Sequence, residues 1–254
     1  MAIERGVVKV CVVIPTYNES GTISEVVSRV LASTPEVDVL IADDNSPDGT
    51  GKIADTYALR EQRVRVLHRA RKEGLGPAYI AGFKDALARG YDAVIEMDAD
   101  LSHPPEDVPR LIEAAATADV VIGSRYAPGG STRNWSKNRE RLSRAGNTYA
   151  RLALGVPVHD ATAGFRIYRA AVLSELPLDE VSSAGYGFQI EMLWRAWLAG
   201  FKVVEIPIVF TERREGVSKM SRSIVAEALK NIAVWGIKRA RPTGRPHPRS
   251  VAAG

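Results

Sequence analysis

Short apolar runs alternate with longer stretches whose apolar positions recur every three or four residues. The runs at 10–14, 37–42, 64–67, 93–97 and 120–122 read as buried strands, with Pro15 expected to break the first. Between them, 22–32, 50–58, 78–88 and 108–116 carry a helical period, with Ile23, Val26, Val27, Val30 and Leu31 of the first helix on one face. Strands that are apolar throughout need cover on both faces, so this alternation predicts an α/β fold with a mostly parallel central sheet.

After Gly123 the regularity fails. Residues 126–138 are rich in Gly, Ser, Asn and Pro and lack an apolar period, so they read as a long loop, a length that usually carries function. A helix over 139–154 follows, then a strand at Phe165-Arg166-Ile167-Tyr168, a helix over 189–199 and an apolar strand over 203–210. The last predicted helix, 223–239, sets Ile224, Val225, Ala228, Leu229, Ile232 and Trp235 on one stripe, opposite Glu227, Lys230 and Asn231. From Arg241 the Pro-, Gly- and Arg-rich end reads as a disordered basic tail over 241–254.

Composition narrows the setting. At 254 residues the chain can bury one sizeable core, so a single domain over 1–240 is expected. Cys11 is the only cysteine, which rules out an intrachain disulfide and a cysteine metal site and fits a reducing, cytoplasmic compartment. The first residues lead into a strand without an apolar signal core, and no stretch reaches the roughly 18 to 20 apolar residues of a membrane span. A soluble or peripheral protein is expected. The net charge of +4 is concentrated at the end, in Lys238, Arg239, Arg241, Arg245 and Arg249, which together with the amphipathic helix favours an anionic membrane surface. Nucleic acid is not expected as a partner, because aromatic residues make up only 7% and the Asp-rich strand ends would repel phosphate unless a metal intervened.

Chemistry gathers where strands end. The first runs into Pro15-Thr16-Tyr17-Asn18-Glu19, the second into Asp43-Asp44 and Asp48-Gly49-Thr50, the fourth into Asp98-Ala99-Asp100, and the fifth into Gly123-Ser124-Arg125. Open α/β sheets bind ligands at this edge, and two carboxylates spaced i and i+2 offer hard oxygens suited to Mg²⁺ or Mn²⁺ carrying a diphosphate. Each motif also has a plain structural reading. Asp48 can cap the helix beginning near Thr50, and Tyr17 can be an edge aromatic. Arg139 and Ser143 can share a solvated helix face, where Arg133, Arg141 and Arg144 compete for any anion. Gln189 and Glu191 can be the polar side of a core helix. The four histidines lack metal-ligand spacing, and no Ser-His-Asp or Cys-His arrangement is evident.

Taken together, Pro15 to Glu19, Asp43 to Thr50, Asp98 to Glu106, Gly123 to Tyr126, Thr162 to Arg169 and Gly185 to Glu191 resemble the family 2 glycosyltransferases of the GT-A fold. Within them the likeness is to the polyprenyl-phosphate mannose synthases, and it spans nearly the whole chain. The first three blocks speak only for a sugar nucleotide; the later ones speak for a polyprenyl phosphate acceptor. The resemblance implies a nucleotide-sugar half over 1–125, an acceptor half over 126–222 and an amphipathic helix over 223–240. It implies GDP-mannose held by Pro15, Tyr17, Glu19 and Asp44, with Ala99, Gln189 and Glu191 also on the donor side. Asp98, Asp100 and Ser102 would hold Mg²⁺ or Mn²⁺; the family often has Gln at the Ser102 position, and a hydroxyl can still offer an oxygen there. Arg125, Arg139 and Ser143 would grip the acceptor phosphate, and Arg213 and Lys219 would close over the donor. Catalysis would rest on Asp98, Asp100, Arg125, Arg213 and Lys219. The implied reaction is one inverting transfer of mannose to polyprenyl phosphate at the cytoplasmic face of a membrane, as in those members that depend on a separate membrane protein. UDP-glucose or another nucleotide sugar as donor, or an idle sugar-nucleotide-binding subunit of a membrane complex, are the rival readings.

Overall fold

A computed structural model describes residues 9–183, 185–212 and 222–240. Arg213, Lys219 and the basic stretch from Arg241 lie outside these residues. In chain order the first half comprises β1 (Val10–Thr16), α1 (Ile23–Ser33), β2 (Asp38–Asp43), α2 (Thr50–Arg60), β3 (Val64–His68), α3 (Leu75–Ala88), β4 (Ala93–Glu96), α4 (Val108–Ala115) and β5 (Val120–Ser124). The second half comprises β6 (Ser131–Arg133), α5 (Lys137–Leu154), β7 (Arg166–Arg169), α6 (Ala170–Glu175), α7 (Tyr186–Leu198), β8 (Val203–Pro207), β9 (Val209–Thr211) and α8 (Arg222–Ala240).

Seven strands form one sheet in the order β3-β2-β1-β4-β7-β5-β8, parallel except for β7, which runs antiparallel between β4 and β5. Alternation along each strand feeds two cores. From β1, Cys11 and Val13 face one side with Tyr79, Phe83 and Phe188, while Val10, Val12 and Ile14 face the other with Ile23, Val26 and Leu111. The expected fold class is therefore observed, and its strands are apolar throughout because helices cover both faces.

Several expectations are corrected. Pro15 does not break β1 but pairs with Ala42. β4 partners β1 only as far as Val13, so Pro15 sits where one side of the strand carries no ladder and its missing N–H costs little. The 126–138 loop contains β6, which pairs with β9; the predicted strand over 203–210 is accordingly two strands that turn from one sheet to the other at Ile208. The helix expected over 189–199 begins at Tyr186. On α8, Leu229 leaves the predicted buried stripe and is 44% exposed, whereas Ile232 is buried.

Sheet and helix meet closely at Gly82 of α3. A Cβ there would lie 2.4 Å from Val13 Cγ1. Gly82→Ala is expected to lower stability by about 1 to 3 kcal/mol through overpacking, although alanine is intrinsically the better helix former by about 1 kcal/mol. A urea midpoint unchanged or raised would contradict this packing.

Candidate active site

The strand order reverses between β1 and β4: the chain steps outward to β2 and β3, then returns to the other side of β1. That is the switch point where helices diverge and leave a crevice. A cavity of about 360 Å³ opens there, lined on the first-half side by Pro15, Glu19, Lys72, Asp98, Ala99, Asp100, Ser102 and His103, and on the second-half side by Arg125, Arg139, Thr162, Tyr186, Gln189 and Phe210.

β4 ends at Glu96, one residue short of the predicted end, so Asp98 and Asp100 both lie beyond the strand and its i, i+2 alternation does not set their directions. Asp100 is reached by a bend, and Leu101 takes a positive φ of 61° that turns the chain back, so that the Ser102 N–H donates to Asp100 Oδ1 at 3.1 Å. Asp98 is braced from two sides. Tyr79 donates its hydroxyl to Asp98 Oδ1 at 3.1 Å, and the Asp98 N–H donates to His103 Nδ1 at 3.2 Å. The His103 ring thus accepts at Nδ1, and burial lowers its pKa against the pull of Asp98 and Asp100. Ser102 is buried, and its Oγ has no hydrogen-bond partner among the described residues. A buried hydroxyl left unmatched beside two carboxylates fits an additional, oxygen-seeking ligand. Among the described residues, no group of three His, Cys, Asp or Glu side chains could hold a metal ion.

Beneath this wall lies Glu96, fully buried, with neither oxygen in a well-formed hydrogen bond. Burial, reinforced by the charge of Asp98, pushes its carboxyl up to about 8, while Arg166 and Gln189 pull it part of the way back. A carboxyl raised in this way keeps its proton in the folded chain at pH values where the unfolded chain has released it. The contribution of Glu96 to stability is therefore fully present below about 4.5 and is lost as pH rises toward about 8. Glu96→Gln is expected to flatten that fall and to be more stable than the parent above pH 8 in urea unfolding with EDTA. An undiminished slope would contradict the burial argument.

The opposite wall is cationic and aromatic. Arg125 is buried and makes a bidentate pair with buried Asp160, Nε to Oδ2 at 2.7 Å and Nη2 to Oδ1 at 2.6 Å, and also donates to Thr162 Oγ1. Burial works against both charges, but the pairing outweighs it, holding Asp160 below the usual carboxylate range and Arg125 above its own. The Arg125 guanidinium lies 5.1, 5.3 and 5.5 Å from the rings of Tyr126, Trp135 and Phe210. Arg139 belongs to the first turn of α5, where Ser136 caps the helix by accepting from the Arg139 N–H. Its guanidinium lies 4.0 Å over Trp135 and pairs with Glu212. Stacked guanidinium groups keep their orientation, which favours bidentate binding of an oxyanion such as phosphate.

The cavity thus brings together Pro15, Glu19, Asp98, Ala99, Asp100, Ser102, Arg125, Arg139 and Gln189. Other sequence-derived candidates lie off its wall. Asp44 is buried and paired with Arg69, its carboxyl raised by burial despite that partner. Tyr17 carries the Lys72 ammonium 4.0 Å over its ring, and Lys72 itself reaches the cavity. Glu191 accepts from Arg195 and from the Ser183 N–H, so its carboxylate is spent within α7 and the segment before it. Ser143 is not part of the lining. Asp48 stands one residue before Gly49, the N-cap of α2, and accepts from the Thr50 N–H and hydroxyl and from the Ser20 N–H, which together bring it down to about 2 despite some burial. Asp160, Tyr79 and His103 are the residues that sequence reasoning missed. Tyr79 reads as core by its period and His103 by its lack of spacing, but Asp160 sits in a polar stretch before an apolar strand, a signal that could have marked it.

The sequence matches the family described as Glycosyl transferase family 2 over residues 11–177. It is 54% identical over 229 residues to a polyprenol monophosphomannose synthase of Mycolicibacterium smegmatis, covering 89% of this chain and 86% of that one. It is 52% identical over 229 residues to an undecaprenyl-phosphate mannosyltransferase of Micrococcus luteus, covering 90% and 94%. Among solved structures, glucosyl-3-phosphoglycerate synthase from Mycobacterium tuberculosis in complex with Mn²⁺, uridine diphosphate and glucosyl-3-phosphoglycerate superposes with a TM-score of 0.65 at 20% identity, covering 91% of this chain and 79% of that one. At that identity the likeness concerns the fold, which is GT-A-like.

Proposed function

Since the chain belongs to glycosyl transferase family 2, we propose that it transfers mannose from GDP-mannose to a polyprenyl monophosphate, with inversion, at the cytoplasmic face of a membrane. The observation that carries this is the two-sided cavity: carboxylates and a buried hydroxyl on one wall, aromatic-backed arginines on the other, a place for two phosphorylated substrates to meet. The names of the two bacterial relatives supply the sugar and the lipid class.

In this reading Pro15 and Glu19, with Tyr17 and Asp44 behind them, hold the guanine nucleotide. Asp98, Asp100 and Ser102 would hold Mg²⁺ or Mn²⁺, which when bound neutralises charge on the departing diphosphate. Tyr79 and His103 keep Asp98 aimed, and Gln189 faces the sugar. Arg139 receives the acceptor phosphate, exchanging its Glu212 partner for the substrate. Arg125, already balanced by Asp160, shapes that side and adds less net charge. Arg213 and Lys219 are assigned to the donor phosphates on the resemblance alone. A phosphate monoester has a second pKa of about 6 and arrives largely ionised, so positioning suffices and no strong base is needed. Among the described residues no helix is long and apolar enough to cross a membrane.

The test is a donor panel with a short-chain polyprenyl phosphate, with and without divalent metal. Metal-dependent transfer from GDP-mannose in preference to UDP-glucose is expected. Transfer from UDP-glucose alone would reassign the donor, and binding of nucleotide sugar without turnover would reduce the chain to a binding subunit.

A further inference from the structure

The two arginines of the cavity wall hold their anions in different ways. Arg125 and Asp160 are sealed from water, with side-chain exposures of 4% and 0%, and their bidentate contact is a fixed part of the structure. Arg139 and Glu212 are 34% and 40% exposed, and an ion pair that water reaches is weak enough for another anion to replace. Neither end of this second pair is free to drift. The Arg139 guanidinium rests 4.0 Å over Trp135, on the helix turn capped by Ser136. Glu212 follows the end of β9, where its N–H donates to the Arg133 carbonyl at 3.1 Å, and the Thr211 N–H before it donates to the Ser102 carbonyl at 3.1 Å. The backbone there is tied through Ser102 to the carboxylate wall, while the Glu212 side chain reaches the arginine wall.

We infer that Glu212 is a built-in competitor for the phosphate position on Arg139: it holds that guanidinium between turnovers, weakens the grip on acceptor and product alike, and so clears the product. The inference deepens the mannosyl-transfer reading and rests on it for the identity of the two ligands. The acceptor is a phosphate monoester carrying about two negative charges at neutral pH, and the product is a phosphodiester carrying one. A dianion displaces a carboxylate from a guanidinium more readily than a monoanion does. Exchange therefore favours the acceptor on entry, and Glu212 regains Arg139 once an ionised phosphate oxygen has become the bond to the sugar. A carboxylate anchored beside the guanidinium competes at a high effective concentration, which a free anion does not reach. Without it, the arginine would keep hold of either ligand.

Calorimetry of the full chain with a short-chain polyprenyl phosphate, and with the methyl phosphodiester of the same lipid as a stand-in for product, tests this. E212Q is expected to bind both about threefold to fivefold more tightly than the parent, the range over which exposed ion pairs compete. In transfer assays its KM for the acceptor should fall and inhibition by the diester should strengthen. Damage to the site loosens binding, so a gain separates competition from a structural role. In an R139Q background the same change should bring less than about a twofold gain, since the contested guanidinium is gone. Unchanged or weaker binding by E212Q overturns the inference, as does an equal gain in the R139Q background, which would mark a general effect of negative charge. If the parent transfers no mannose while E212Q still gains affinity through Arg139, the competition stands and the proposed function falls. If the parent transfers mannose and the gain is absent, the inference alone falls.

Discussion

Asp100→Ala is expected to lower mannosyl transfer by at least about a thousandfold, about 4 kcal/mol of transition-state stabilisation, while unfolding free energy stays within about 1 kcal/mol of the parent. The separation of the two effects follows from the site. Asp100 lies in a bend beyond β4, where it accepts the Ser102 N–H, and belongs to neither core, so its loss leaves both cores intact. What it takes from the reaction is half of the carboxylate pair assigned to the cation. Excess EDTA should reproduce the loss in the parent. Ser102→Ala, which removes a buried oxygen with no hydrogen-bond partner among the described residues, should cost only about tenfold and shift the metal concentration needed for half-maximal rate. Full activity in Asp100→Ala, or in EDTA, would sink the metal assignment.

The second large effect is on stability. Asp160→Asn is expected to cost about 3 to 5 kcal/mol, because it leaves the Arg125 guanidinium charged, buried and without its counter-ion. Arg125→Ala should cost a comparable amount, for the mirror reason. The pair itself need not be strongly stabilising, since taking both charges out of water consumes most of their attraction. Replacing both at once with apolar residues of similar volume should therefore be less damaging than either single change. Urea unfolding measures all three variants. A loss below about 1 kcal/mol in Asp160→Asn would mean that Arg125 finds another anion and that its role in the acceptor site is larger than proposed.

Arg125 also shows where reading the sequence stops. That it stands after an apolar strand was legible, and so was its place at the ligand-binding edge of the sheet. Its partner was not, because Asp160 is 35 residues away, beyond β6 and α5, with no period linking them. Arg166 was likewise seen only as part of a strand. Folding makes it a fully buried side chain that donates to the carbonyls of Ala161, Ala163 and Gln189, pinning the polar stretch beside the cavity. Asp98 and Asp100 were found by their position alone, yet what keeps Asp98 in place comes from α3 and from the turn that contains His103.

The sequence by itself determined the alternation of strand and helix, the two-sided core, and the gathering of Pro15, Glu19, Asp98, Asp100 and Arg125 at the strand ends. These follow from periods of two and 3.6 residues, which covalent geometry imposes locally and any stretch of chain displays. Tertiary structure decided the rest: β7 entering antiparallel between β4 and β5, Glu96 buried beneath the cavity wall, Arg125 bound to Asp160, and Arg139 paired with Glu212. Each depends on which distant segments share a face. That choice is made by the packing of the whole chain, where burial sets the cost of a charge and only a neighbour in space can lower it.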